Sequence, residues 1–388
     1  MTTTTPVARI NCQFDAGNIE YLSSDTDHTL NLAIRSDSNS DFYQWFYFRL
    51  TGTTGERYYL NLTNAGGSSY PRGWEDYQPV VSDDLKTWYR VPAEYKNGQL
   101  SFSVKLQTNS LYVAYFTPYS LERHTSFIAE ILSGDCAELI TVGQTIQGRD
   151  LDVLQLGDSS GDSGARHKVW VIARQHPGET MAQWWTEGFV RRLTDRNDAV
   201  SAQLLKRCVF YVVPNMNPDG SYLGHLRTNA VGANLNREWL SPDISRSPEV
   251  FLVREMMHQT GVDLCLDVHG DEALPYNFIA GPQGTKSWDD SRENQLQSFK
   301  STLQALNPDF QTTHGYPVPP PNSANYGICA SYVAETFNCL AMTLEMPFKD
   351  TVDTPDLEFG WSAERSANLG RSTVDAMYWY QQKFWQGQ

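Results

Sequence analysis

The sequence predicts an antiparallel β-sandwich domain over residues 1–118, followed over residues 119–388 by an α/β domain built on a mixed, largely parallel sheet with helices on both faces. Three observations predict this. Up to about residue 118, short aromatic-rich runs alternate with Gly, Asn, Asp and Ser turns. Beyond residue 119 the runs become continuously apolar, as strands covered on both faces must be. Between those runs, apolar residues recur at helical spacing.

In the first part, residues 45–50, 58–62, 100–106 and 111–116 read as sandwich strands, and no catalytic grouping is evident among them. In the second, residues 151–156, 169–173, 209–213, 264–268 and 340–344 read as buried strands. Met181, Trp184, Trp185, Phe189 and Leu193 form one apolar stripe, which makes a helix packed on the sheet and gives both tryptophans a core role. The chain ends in a helical pattern over residues 362–384, and its Pro cluster at 317–321 marks a loop before the last strand.

Composition narrows the function. The 388 residues carry 45 Asp and Glu against 30 Lys and Arg, a net charge of -15. A nucleic-acid binder needs a basic face to displace counterions, and an anionic membrane surface asks the same, so neither is an expected partner. With 40% apolar residues and 11 Trp, 20 Tyr and 17 Phe, the chain builds a core rather than staying disordered. Its first residues lack the basic start and apolar stretch of a secretion signal, and no run reaches the ~18–20 apolar residues of a membrane span, so a soluble, cytoplasmic protein is expected. The six cysteines, Cys12, Cys136, Cys208, Cys265, Cys329 and Cys339, are scattered and read as reduced thiols.

Polar groups follow four of the predicted strands, and in open α/β sheets ligands bind beyond the strand C-termini. After residues 169–173 comes Arg174-Gln175-His176-Pro177-Gly178-Glu179-Thr180, with Glu179 in the first turn of the next helix. A His and a carboxylate three apart there reach one metal ion. Residues 264–268 deliver His269, and a His2Glu set leaves a fourth position open, the mark of a catalytic metal. Such a pair alone arises by chance, and a strand-end His is often only hydrogen-bonded, so the partners decide. Arg227, Asn236 and Arg237 follow residues 209–213 and suit a carboxylate and an oxyanion, although two arginines can also be surface ion-pair residues. Glu345 ends the last strand, where a buried carboxylate needs a partner or a function.

His-Pro-Gly-Glu-Thr at 176–180, Asn-Pro-Asp-Gly at 217–220, Asn-Leu-Asn-Arg at 234–237, Asp-Val-His-Gly at 267–270 and Thr-Leu-Glu at 343–345 stand in the order of the M14 zinc carboxypeptidase family, which the chain resembles over about residues 119–388. Gln44-Trp45-Phe46-Tyr47-Phe48 and Tyr115-Phe116-Thr117-Pro118-Tyr119-Ser120 are similar to junction motifs of the cytosolic carboxypeptidase-like branch, whose catalytic domain follows a β-sandwich. The resemblance implies one Zn2+ per chain on His176, Glu179 and His269. It implies hydrolysis of the C-terminal peptide bond of peptides or proteins by a zinc-bound water with Glu345 as general base. Arg227 would stabilise the oxyanion, Asn236 and Arg237 would hold the terminal carboxylate, and Tyr326 is the spacing-based candidate for a substrate-capping tyrosine.

Members that remove C-terminal Glu carry a basic residue about fifteen positions before the catalytic Glu. Here that position is Ala330, and residues 329–344 contain no Lys or Arg, which favours a peptide carboxypeptidase over a deglutamylase. A second alternative is a zinc-dependent deacylase of N-acyl amino acids, which shares the metal motif but places its extra β domain after the zinc domain. A binding protein without activity would lack a ligand or the base, and none is missing. The leading sandwich is either an interaction module or a wall of the substrate cleft.

Overall fold

The structure, a computed structural model, describes residues 8–25, 27–157 and 166–385; the first seven residues of the stretch read for a secretion signal lie outside these. The first part of the chain forms two five-stranded sheets. One orders Arg9–Asn11, Tyr47–Thr51, Ser110–Ala114, Val80–Ser82 and Tyr89–Arg90 side by side. The other orders Glu20–Ser24, Thr29–Ala33, Arg57–Leu62, Gln99–Lys105 and Ala93–Lys96. In Arg57–Leu62, Tyr58, Leu60 and Leu62 are buried while Arg57 and Tyr59 are exposed, the two-residue period of a strand with one face inside. Pairing is antiparallel except between Thr29–Ala33 and Arg57–Leu62, which run parallel.

The second part carries a seven-stranded sheet. In chain order its strands are β1 (Ala137–Gln144), β2 (Asp150–Leu156), β3 (His167–Ala173), β4 (Cys208–Val213), β5 (Leu264–Asp271), β6 (Phe278–Ala280) and β7 (Leu340–Pro347). Their spatial order is β1-β2-β4-β3-β5-β7-β6. The inner four, β4, β3, β5 and β7, are mutually parallel, and the edge strands pair antiparallel.

Alternation along β3 shows why helices cover both faces. Val169 and Val171 join one apolar cluster with Trp185 and Phe189 of helix α1 (Thr180–Leu193). Trp170 and Ile172 join a second with Val250, Val253 and Met257 of α2 (Pro248–Thr260) and Val333 of α3 (Cys329–Phe337). The terminal helix α4 (Ala363–Phe384), capped by the Ser362 hydroxyl, packs on α1. Two glycines permit that approach: a Cβ on Gly188 would meet the Ala367 carbonyl at 2.1 Å, and one on Gly370 the Trp185 carbonyl at 2.1 Å.

The two parts share an extensive buried contact. Arg90 of the sandwich donates to the carbonyls of Phe348 and Trp361 at 2.8 and 3.0 Å, and the Tyr115 ring stacks on Phe348 with centroids 4.6 Å apart. From β3 the chain crosses first to β4 on one side and later to β5 on the other, so the order reverses beside β3. That switch point is where an open α/β sheet leaves a crevice. Among the described residues no helix is long and apolar enough to cross a membrane.

Candidate active site

His176 and Glu179 lie in the turn between β3 and α1. Arg174 opens the turn with a left-handed φ of 59° and is buried. Its guanidinium spans the turn, donating to Pro177 O at 2.8 Å, Gln183 Oε1 at 2.6 Å and Tyr119 O at 2.9 Å. Local strain of this kind persists only where surrounding bonds hold it, and here they fix the turn that carries His176. Glu179 takes the N-cap position of α1, yet its side chain makes no capping bond to the helix amides and is left for the histidines.

Two histidines converge on that carboxylate. His176 Nδ1 is 2.7 Å from Glu179 Oε1, and His269 Nδ1 is 2.8 Å from Glu179 Oε2. The donor atoms of all three residues lie within 4.8 Å of one another, and all three are buried. On their far sides the rings meet acceptors: His176 Nε2 is 3.1 Å from Asn234 Oδ1, and His269 Nε2 is 2.9 Å from Asp267 Oδ2. An Nε2 hydrogen committed outward leaves the Nδ1 lone pair pointing at the carboxylate. Three electron-rich donors turned on one point fit a divalent cation, and N and O donors in this number suit zinc.

The electrostatics agree. Burial, assisted by Arg227, pushes His176 down to about 4 and keeps it in the neutral, ligating form. For Glu179 burial alone would favour the neutral acid, but His176 and His269 outweigh it and hold the carboxyl below its usual range. Burial also disfavours charge on His269, yet Asp267 and Glu179 overcome it and push the imidazole above its ordinary value, so this point attracts positive charge.

Glu345 is set beside this group by sheet register. On the parallel pair β5/β7, His269 lies opposite Glu345. The Glu345 side chain is buried, its Oε2 has no hydrogen-bond partner among the described residues, and burial raises its pKa well above the usual carboxylate range. The strand predicted to end at Val268 continues to Asp271, so His269 is a strand residue whose direction the sheet dictates.

A cavity of about 510 Å3 opens on this point, within the size range of small-molecule sites. His176, Glu179, Arg227, Asn236, Arg237, His269 and Glu345 all line it. Asn236 Oδ1 accepts from Cys329 N at 2.8 Å, and its amide nitrogen lies 3.3 Å from His269 Nε2. Arg237 keeps contact with solvent, and the partial burial of its guanidinium, together with the neighbouring Arg227, lowers its pKa. Ala330, at the position that the sequence singles out for substrate choice, lines the cavity too.

Tyr326 is placed differently from the expectation. It is absent from the cavity wall, and its hydroxyl accepts from the Lys286 amide at 3.3 Å. The tyrosines that line the cavity are Tyr316, whose hydroxyl donates to Asp271 Oδ2 at 2.6 Å, and Tyr70 of the sandwich. Asp271, Glu272 and Tyr70 also line the cavity, and no ligand spacing or motif marks them in the sequence. The acidic pair Asp271-Glu272, which follows His269 after one glycine, is the available signal.

With this geometry in hand, the comparisons with known proteins agree for both parts of the chain. A family model described as the cytosolic carboxypeptidase N-terminal domain matches residues 10–116, and the zinc carboxypeptidase model matches residues 124–365. An uncharacterised protein of Zymomonas mobilis is 46% identical over 366 residues, 94% of each chain. Mouse cytosolic carboxypeptidase 6 is 26% identical over 77% of this chain, which spans 59% of that longer protein. Among solved structures, a metallo-carboxypeptidase from Burkholderia cenocepacia superposes with a TM-score of 0.94 at 42% identity, covering 97% of this chain and 100% of that one. A metallo-carboxypeptidase from Pseudomonas aeruginosa gives 0.92 at 41% identity, covering 95% and 98%.

Proposed function

This chain belongs to the zinc carboxypeptidase family, and from that premise we propose that it releases single C-terminal residues from peptides or proteins, with His176, Glu179 and His269 holding one zinc ion and Glu345 moving the proton. As a metallocarboxypeptidase it is a hydrolase acting on peptide or protein substrates. The observation that carries the finer reading is the convergence of two buried Nδ1 atoms on one carboxylate, with Glu345, whose Oε2 has no partner among the described residues, lining the same cavity.

Bound there, zinc would supply Lewis acidity that acidifies a water and polarises the scissile carbonyl. Glu345 accepts the proton of the attacking water and passes it to the leaving amine, the work of a general base and then a general acid. Arg227 donates to the oxygen on which negative charge develops. Asn236 and Arg237 hold the terminal carboxylate, which confines attack to the last peptide bond. The Pseudomonas aeruginosa metallo-carboxypeptidase was solved in complex with (2-guanidinoethylmercapto)succinic acid. That ligand carries two carboxylates, the group that Asn236 and Arg237 are assigned here.

The rest of the wall includes Ala280, Gly281, Ile328, Ala330, Ser331 and Thr343, none of them charged. A C-terminal Glu side chain finds no Lys or Arg among these, and Asp271 and Glu272 add acidic groups to the same cavity, so a C-terminal residue other than Glu is the preferred substrate. Domains divided near residue 118 and a cytoplasmic setting, where the six free cysteines stay reduced, belong to the same reading.

The test is residue release from peptides ending in Glu, Lys, Leu or Phe, and from N-acyl amino acids, by the zinc-loaded protein and its Glu345→Gln variant. Release of Lys, Leu or Phe faster than of Glu, lost in the variant, is expected. Activity confined to N-acyl amino acids would replace the reading with the deacylase, and preferred release of Glu would replace the substrate preference.

A further inference from the structure

The loop that bears Arg227 is held by the sandwich as well as by its own domain, where Gly178 N donates to Leu226 O at 2.9 Å. Asp37 is buried and sends its carboxylate into that loop: Oδ1 accepts from Leu226 N at 2.6 Å, and Oδ2 accepts from Arg227 N and Thr228 N, each at 2.8 Å, and from the Thr228 hydroxyl at 3.0 Å. Both ends of the loop are pressed on the same domain. Gly224 (φ 72°) leaves no room for a Cβ against the Ala16 carbonyl at 2.7 Å, nor Gly232 (φ 84°) against the Asn39 carbonyl at 2.3 Å. The guanidinium is then flanked by two sandwich rings, with its central carbon 5.5 Å from the centroids of both Phe42 and Tyr70. Asp37 N donates to Phe42 O at 2.8 Å, which ties the carboxylate and one ring into a single turn.

Three charge-assisted bonds to successive amides fix where the Arg227 backbone starts, and two rings fix where its side chain ends. We propose that Asp37 is the positioning residue for Arg227, so that the sandwich completes the substrate cleft by aiming the group that meets the developing oxyanion. This rests on the role given to Arg227 above. Preorganised donors lose their value when displaced, a shift of about 1 Å costing up to about a hundredfold in rate.

The test is a cycle of the zinc-loaded wild type, Asp37→Asn, Arg227→Ala and the double variant, with kcat and KM on a peptide that the wild type cleaves, and with melting temperature and zinc content for each. An Asn side chain offers one acceptor where the carboxylate offers two. Asp37→Asn is expected to lower kcat by about ten- to a hundredfold with KM changed less than about threefold, and to cost under about twofold when added to Arg227→Ala. If Arg227→Ala is impaired while Asp37→Asn keeps wild-type kcat, or lowers it by the same factor in both backgrounds, the positioning role is overturned and the role of Arg227 stands. If Arg227→Ala keeps full activity, the reading beneath it fails instead. Should Asp37→Asn not fold, Phe42→Leu, at a half-buried site, enters the same cycle with the same outcomes.

Discussion

His269 and Glu345 stand opposite each other on the parallel strands β5 and β7. One turns its Nδ1 onto Glu179, and the other lines the same cavity with a buried Oε2 that has no partner among the described residues. A register slip of one residue would send either side chain to the other face of the sheet, so this pairing ties the proposed base to the proposed metal donors.

Glu345→Gln keeps the volume and removes the base. Its kcat should fall by about 10²- to 10⁴-fold, with zinc content unchanged. Activity within about tenfold of wild type, with metal bound, would remove Glu345 from the mechanism.

Asp267 stands behind the metal donors: it is buried, faces His269 Nε2 at 2.9 Å and accepts from Gln175 Nε2 at 2.7 Å. A carboxylate in that position orients the ring and makes it a better donor. Asp267→Asn should therefore weaken zinc binding by about 10- to 100-fold, read by competition with a chelator. Unchanged affinity would make Asp267 a packing residue only.

Chelation should abolish residue release and lower the melting temperature, because an ion that binds only the folded chain stabilises it by mass action. Added zinc should restore both. A melting temperature indifferent to chelator and zinc would argue against a metal held by His176, Glu179 and His269.

The two arginines should separate kinetically. Arg237→Ala removes a contact to a carboxylate present before and during reaction, so it should raise KM by about tenfold or more with little change in kcat. Arg227→Ala should act mainly on kcat, by about 10²-fold or more. Effects of the reverse kind would exchange their roles.

Glu249, in the first turn of α2, is fully buried with Asn229 Nδ2 at 3.3 Å, and burial raises its carboxyl to about 7. The folded chain therefore binds this proton more tightly than the unfolded chain. The resulting stability is fully present below about pH 4.5 and is lost as pH rises through about 7, amounting to about 3 kcal/mol. Glu249→Gln should lack this slope and gain on the wild type between about pH 5 and about pH 8 in denaturant unfolding. Parallel curves for the two proteins would show that the group does not titrate in this range.

Much of the architecture is legible in the chain because its signals are local. The continuously apolar run at 209–213 lies within β4, which is buried along its whole length, and the stripe from Met181 to Leu193 forms α1. The proposed metal donors are legible for a similar reason: His176 and Glu179 are three residues apart, and a strand end delivers His269. Tyr326 shows the limit of spacing, since a loop count says nothing of where a side chain turns, and the hydroxyl sits on the Lys286 amide.

Periodicity and side-chain chemistry are properties of the local chain, so the order of strands and helices, the ligand types and the lack of a basic residue at 329–344 could be read without a fold. It took three dimensions to set Glu345 beside His269, and to have a sandwich without a catalytic motif supply Tyr70 to the cavity and Asp37 to the Arg227 loop. The first relation joins residues 76 positions apart in the chain, and the last joins residues 190 apart. Sheet register and domain packing bring such residues together, and neither leaves a mark on the spacing of neighbouring residues.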